Sequence, residues 1–226
     1  MFSNLRKLNS MYSEWIETRL VKVNELKKPS FRETGSKIIA DCHSVCQRIE
    51  KGISLLEENE VAYQAFLFMN QTLYLHRSIT KYSKNAMNKR SSCLRDFMRD
   101  NHSDWRPYQI AFILLNLVGI TDKDSEERNI VDLLYLPLGG GKTEAYLGLI
   151  AYTVAYRRLT ADKDSQYEQD GGVTVILRYM LRYLTAQQRD ILLKLVVSME
   201  MLREKSETRG KCLYGHERIT MGFWGS

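Results

Sequence analysis

No apolar run in this 226-residue sequence is long enough to cross a membrane. The most apolar stretch, residues 110–118, is short and follows Pro107, so it reads as a core helix. The first residues, Met1-Phe2-Ser3-Asn4-Leu5-Arg6-Lys7, lack the apolar segment of a secretion signal, which predicts a cytoplasmic protein without membrane partners. Cysteine is sparse, with four residues, and the close CxxC or CxxH spacing of a zinc knuckle is missing. Cys42 and Cys46 lie one helical turn apart, as do Cys212 and His216. That arrangement allows either a zinc site of three cysteines and a histidine or unrelated thiols in a reducing compartment. There is no internal repeat and no low-complexity tract.

The charge is present but uneven. The net value is +6, of which residues 1–105 contribute +5 and residues 106–226 contribute +1. The excess peaks between His76 and Arg99, where Arg77, Lys81, Lys84, Lys89, Arg90, Arg95 and Arg99 face the single acid Asp96. Tyr82 and Phe97 are interleaved. Such a segment suits the phosphates of nucleic acid, and it equally suits a solvated helix face.

The first hundred residues carry helical periodicity. Leu5, Leu8, Met11, Tyr12, Trp15, Ile16, Leu20, Val23 and Leu26 recur every three or four residues and stop before Pro29. A second helix is expected from Ser36, with Ile38, Ile39, Val45, Ile49, Ile53 and Leu56 inward, and a third from about Glu60 to Tyr82. Residues 83–100 read as a polar linker with a short helix. From Pro107 the pattern changes to a helix through Leu117, strand 131–136, helix 143–159, strand 173–177, helix 185–205 and a strand near 217–223. Alternating strands and helices predict an α/β fold with a parallel sheet at 101–226, preceded by an all-helical domain at 1–100.

The most specific motif is Leu138-Gly139-Gly140-Gly141-Lys142-Thr143, set between the expected strand and helix. Glycines let backbone N–H groups close around an anion without Cβ clashes, and a helix N-terminus adds partial positive charge. Lys142 suits the β- and γ-phosphates of ATP, and the Thr143 hydroxyl suits Mg²⁺. The general spacing G-x-x-x-x-G-K-[ST] asks for glycine at 136, where this chain has Leu136. The simpler alternative is a glycine-rich turn that only joins a strand to a helix.

Arg106-Pro107-Tyr108-Gln109, the glycine motif, the segment Val173-Thr174-Val175-Ile176-Leu177-Arg178 and then Thr185-Ala186-Gln187-Gln188 follow one another in that order. This order resembles the first RecA-like domain of superfamily 2 helicases. More narrowly, residues 65–70, 106–117, 137–149 and 173–188 resemble the helicase component of the DISARM anti-phage systems. The resemblance implies that Gln109 reads the adenine edge, that Tyr108 lies near the base, and that Gly139, Gly140, Gly141, Lys142 and Thr143 hold the phosphates and Mg²⁺. It also implies that Arg178, Arg182, Thr185 and Gln188 lie along a single DNA strand, with other defence-system subunits as partners. From the local pattern alone, Gln109 serves equally as a helix cap, and Arg178 and Arg182 as solvated charges.

Two parts of that family's machinery are not found in the sequence. No Asp-Glu pair follows Leu177 on a strand, and no second lobe with an arginine finger is present. Phosphoryl transfer needs metal placement, an oriented water and stabilised transition-state charge. The expectation is therefore an ATP-binding N-terminal part of a longer helicase that by itself hydrolyses little ATP. The alternatives are a truncated module that binds nucleotide or a partner without hydrolysis, and a P-loop ATPase that is not a helicase.

Overall fold

The computed structural model describes residues 1–87, 93–99, 104–135, 140–161, 171–178, 182–208, 210 and 212–223. Its regular elements are α1 (Phe2–Asn24), α2 (Pro29–Glu58), α3 (Glu60–Met87), α4 (Leu94–Arg99), α5 (Pro107–Thr121), α6 (Lys142–Leu159), α7 (Arg182–Thr208) and one 3-10 turn, Glu126–Asn129. They form two compact units. One comprises Met1–Glu60 and Trp105–Gly140, and the other Val61–Asp104 and Gly141–Ser226.

The parallel sheet expected from the alternating pattern is not there: among the described residues there is no strand. Residues 131–135 and 173–178 carry no ladder, and their apolar side chains face outward. Val131, Leu133 and Tyr135 are 95%, 87% and 87% exposed. A strand exists only when a neighbour takes its N–H and C=O groups, a condition that local sequence does not report. At 217–223 the backbone groups are engaged by side chains instead. Arg158 donates to the carbonyls of Glu217 (2.6 Å) and Arg218 (3.4 Å), and the Ile219 N–H donates to Glu200 Oε2 at 2.9 Å.

In the first unit α2 is the central helix, packed against both α1 and α5. It begins at Pro29 rather than Ser36, because proline at the first helical position loses no hydrogen bond and supplies the right φ. Ile49, Ile53 and Leu56 bury one face of it, and Ile113, Leu114 and Leu117 of α5 are equally enclosed. Gly52 sits where α2 meets α5. A Cβ there would lie 2.1 Å from the Leu114 carbonyl oxygen, so only glycine permits this approach. The apolar stripe expected on α1 is only partly used: Leu5 and Ile16 are buried, whereas Met11, Trp15 and Leu26 are exposed.

Arg48 of α2 ties the irregular segment after α5 to this core. It forms a two-pronged pair with Asp132, both contacts 2.7 Å, reaches Glu127 Oε2 at 3.3 Å and donates to the Leu115 carbonyl at 3.1 Å. Its side chain is nearly enclosed, as is that of Glu127.

The second unit is built on α3, α6 and α7. Phe68 and Met69 of α3, Leu147 and Tyr152 of α6, and Leu195 and Met199 of α7 are enclosed. His76 of α3 faces the Ile191 carbonyl of α7, 3.2 Å from its Nε2, so that nitrogen carries the proton and donates. Burial lowers the His76 pKa below its ordinary value.

Because removing one partner from a buried pair leaves the others uncompensated, Arg48→Ala is expected to destabilise the protein by about 3–5 kcal/mol. Arg48→Lys, which keeps the charge but loses the two-pronged geometry, recovers only part of that. Urea unfolding of the three proteins is the check. Equal midpoints for wild type and Arg48→Ala would show that the pair adds nothing.

Candidate nucleotide-binding site

The start of α5 and the glycine motif meet in the first unit. Pro107 occupies the first helical position, and Arg106 before it is extended, with φ −68° and ψ 143°. Gln109, 3% exposed, turns back so that its Oε1 accepts the Arg106 N–H at 3.0 Å. That bond caps the helix by satisfying a backbone donor that the helix itself cannot pair. Arg106 and Tyr108 then reach a common acceptor. Arg106 Nη1 donates to the Gly140 carbonyl at 2.9 Å, and the Tyr108 hydroxyl donates to the same oxygen. Residues more than thirty positions apart in sequence are thereby held together. Arg106 was not among the residues singled out from the sequence, and a cation just before Pro-Tyr-Gln is the only signal that marks it.

The rest of the motif belongs to the second unit. Gly141 is left-handed, with φ 89° and ψ 28°, and serves as the N-cap of α6. A side chain there would be strained, so the glycine is required by the turn itself. Lys142 and Thr143 fall in the first turn of α6, half-buried, at the positive end of the helix dipole. Gly139 lies outside the described residues.

Glu144 follows in the same turn. Its Oε2 is buried and accepts no hydrogen bond among the described residues. Arg77 of α3 supplies compensating positive charge. Burial lowers the Arg77 pKa, while Glu144 and then Asp104 act to raise it. Glu144 also acts to raise His76 against its burial.

The residues expected on a nucleic-acid path are scattered through the second unit. Lys81 and Lys84 are exposed near the end of α3, and Arg95 and Arg99 are exposed on α4. Tyr82 meets Phe97 edge-on with ring centroids 6.3 Å apart, and the Tyr74 hydroxyl donates to the Met98 carbonyl. These contacts bring α4 alongside α3. Lys89 and Arg90 lie outside the described residues. Arg178 is exposed. Arg182 and Thr185 belong to the first turns of α7, their side chains outside what is described. Gln188 accepts the Tyr146 hydroxyl of α6 at 2.8 Å, which gives it a structural contact.

Cys42 and Cys46 belong to the first unit and Cys212 and His216 to the second. The two α2 thiols have local partners in α1. Cys46 Sγ lies 3.3 Å from Asn9 Oδ1, and Cys42 hydrogen-bonds Tyr12.

The cap predicts a stability cost of its own. Gln109→Ala is expected to lower the unfolding free energy by about 1 kcal/mol, and Gln109→Glu, which still accepts from Arg106, to lower it less. Chemical denaturation of both variants reads this, and an unchanged midpoint in Gln109→Ala would remove the capping role.

No protein-family model matches the chain. It is 43% identical over 222 residues, 97% of its length, to the curated DISARM protein DrmA of Bacillus paralicheniformis. It spans 19% of the length of that relative, at the relative's N-terminal end. Identity of that level over nearly every residue makes the chain a homologue of the N-terminal part of DISARM protein DrmA.

Proposed function

We propose that this chain is the N-terminal, ATP-binding part of a DNA helicase or translocase that serves a DISARM-type anti-phage defence system. The observation that carries this reading is the likeness to DISARM protein DrmA along 97% of the chain. It coincides with a Gly-Gly-Gly-Lys-Thr motif whose last glycine is left-handed and whose Lys142 opens a helix.

In this reading Lys142 meets the β- and γ-phosphates, Thr143 meets Mg²⁺ and the glycine backbone meets phosphate oxygens. Arg106 and Tyr108, by holding the Gly140 carbonyl, fix the orientation of that peptide. Tyr108 and Gln109 set the preference for adenine once the Gln109 amide, which caps α5 in this structure, turns to the base. Lys81, Lys84, Lys89, Arg90, Arg178, Arg182, Thr185 and Gln188 contribute to DNA binding, and other subunits of the defence system are partners.

A carboxylate that polarises water and an arginine finger would come from elsewhere in a longer protein. A module that holds nucleotide or a partner and hydrolyses nothing is the second reading.

Lys142→Ala is expected to weaken ATP binding at least tenfold while leaving adenosine nearly unchanged, because it removes a charge-assisted phosphate contact. Thr143→Ala should weaken Mg²⁺-ATP more than metal-free ATP. Calorimetry with the four ligand states measures both, and equal ATP affinity of wild type and Lys142→Ala would end the proposal.

For DNA, replacing Lys81, Lys84, Lys89 and Arg90 by alanine should flatten the dependence of log affinity on log salt by roughly 0.7 per lost single-strand phosphate contact. Fluorescence anisotropy across a salt series gives the slope. An unchanged slope assigns those charges to ordinary solvation.

A further inference from the structure

The chain after α7 turns back on itself and brings three metal-ligating side chains together. Cys212 Sγ lies 3.5 Å from His216 Nδ1 and 3.3 Å from its Nε2, and Nδ1 lies 3.2 Å from Glu207 Oε1. One ligand atom from each of Glu207, Cys212 and His216 falls within 4.8 Å of the other two. A tetrahedral zinc ion with Zn–S of about 2.3 Å and Zn–N or Zn–O of about 2.0–2.1 Å sets S and N about 3.5 Å apart and N and O about 3.3 Å apart. The nitrogen–oxygen separation matches, whereas the thiol lies beside both ring nitrogens, so the exposed His216 ring must turn for Nδ1 and Sγ to share one ion.

The turn that makes this possible is held from several sides. Gly210 and Gly215 are left-handed, with φ of 72° and 74°. Cys212 also has a positive φ, 34°, a conformation that costs a non-glycine residue free energy. The Leu213 N–H donates to Ser206 Oγ at 3.1 Å, and Arg158 donates to the Tyr214 carbonyl at 2.8 Å. The Tyr214 ring packs on Phe68, with centroids 4.4 Å apart. Arg203, nearly enclosed, grips Glu200 with two contacts of 2.8 and 2.9 Å, reaches the Gly215 carbonyl, and donates to Glu207 Oε2 at 2.8 Å. That last bond occupies one carboxylate oxygen and leaves Oε1 turned toward His216, the outer support that metal-binding carboxylates ordinarily have.

We propose that Glu207, Cys212 and His216 form a binding site for one divalent cation of the zinc class, with water in the fourth position. The thiol loses its proton to solvent on binding, and the imidazole binds in its neutral form. The role is to lock the turn after α7, because three fixed ligands closing a short loop stabilise one conformation of it. The proposal is independent of nucleotide binding, and no residue of the glycine motif takes part.

The test uses the purified, reduced full chain titrated with Co²⁺ and then Zn²⁺. One Co²⁺ per chain is expected, with tetrahedral d–d absorption and a thiolate-to-cobalt charge-transfer band that Zn²⁺ abolishes. Cys212→Ser should lose the charge-transfer band, and His216→Ala and Glu207→Gln should each bind at least tenfold more weakly. A band that survives in Cys212→Ser, or the lack of any band in the unaltered chain, overturns the site. A measurement that needs no variant guards against misfolding. Zn²⁺ should slow alkylation of Cys212 by iodoacetamide, read by mass spectrometry, and leave the exposed Cys93 unaffected. Equal rates with and without Zn²⁺ reduce the cluster to a hydrogen-bonded group without a metal.

Discussion

Backbone carbonyls outside helices need donors, and in this protein arginine side chains provide many of them. A guanidinium offers five N–H groups in a rigid plane and can hold several oxygens at once. Arg48 anchors the segment after α5 through Asp132 and Glu127 while also meeting the Leu115 carbonyl within that helix. Arg157 donates to the Gly171 carbonyl at 2.5 Å and to Thr174 Oγ1 at 2.7 Å. Arg158 gathers the carbonyls of Tyr214, Glu217 and Arg218, and Arg203 adds that of Gly215. Arg106 does the same for Gly140. The segments between and after the helices are thus anchored one arginine at a time, where a sheet would have paired them through backbone alone. Because each arginine serves several acceptors, its loss would release a whole segment.

What the sequence disclosed and what it hid divide along the range of the interactions. Helix positions follow from apolar spacing and from local chemistry, so α3, α5, α6 and α7 were legible to within a few residues. The boundary set by Pro29 was misplaced, because Ser36 looked like a cap and proline looked like a stop, whereas proline at a first turn is a start. The strands were misread because residues 131–135 and 173–177 have the right composition, while pairing depends on distant chain. The exposed side of α1 was hidden for the same reason, since periodicity shows a stripe and not what covers it.

The candidate sites follow this division too. The left-handed Gly141 and the helix opened by Lys142 are local features and were visible in Gly-Gly-Gly-Lys-Thr. The double grip of Arg106 and Tyr108 on Gly140 is not local, and neither is the approach of Glu207 to Cys212 and His216. The Cys-x-x-x-His spacing is visible in the sequence, whereas its third member is not. The turn instead supplies a carboxylate from the end of the preceding helix.

Charge near the start of α6 decides how the basic segment can be used. One oxygen of the half-buried Glu144 is enclosed without a hydrogen bond among the described residues, and a positive field favours a carboxylate so placed. Arg77 and the α6 dipole provide that field. Asp104 acts on Arg77 in the same sense as Glu144. Of the seven cations between His76 and Arg99, the ones exposed among the described residues are Lys81, Lys84, Arg95 and Arg99. A phosphate held at Lys142 would meet Glu144 as a like charge, and Arg77 is the cation placed to offset that repulsion. Arg77 therefore belongs with the electrostatics of the glycine motif, although its position in the sequence groups it with the basic segment.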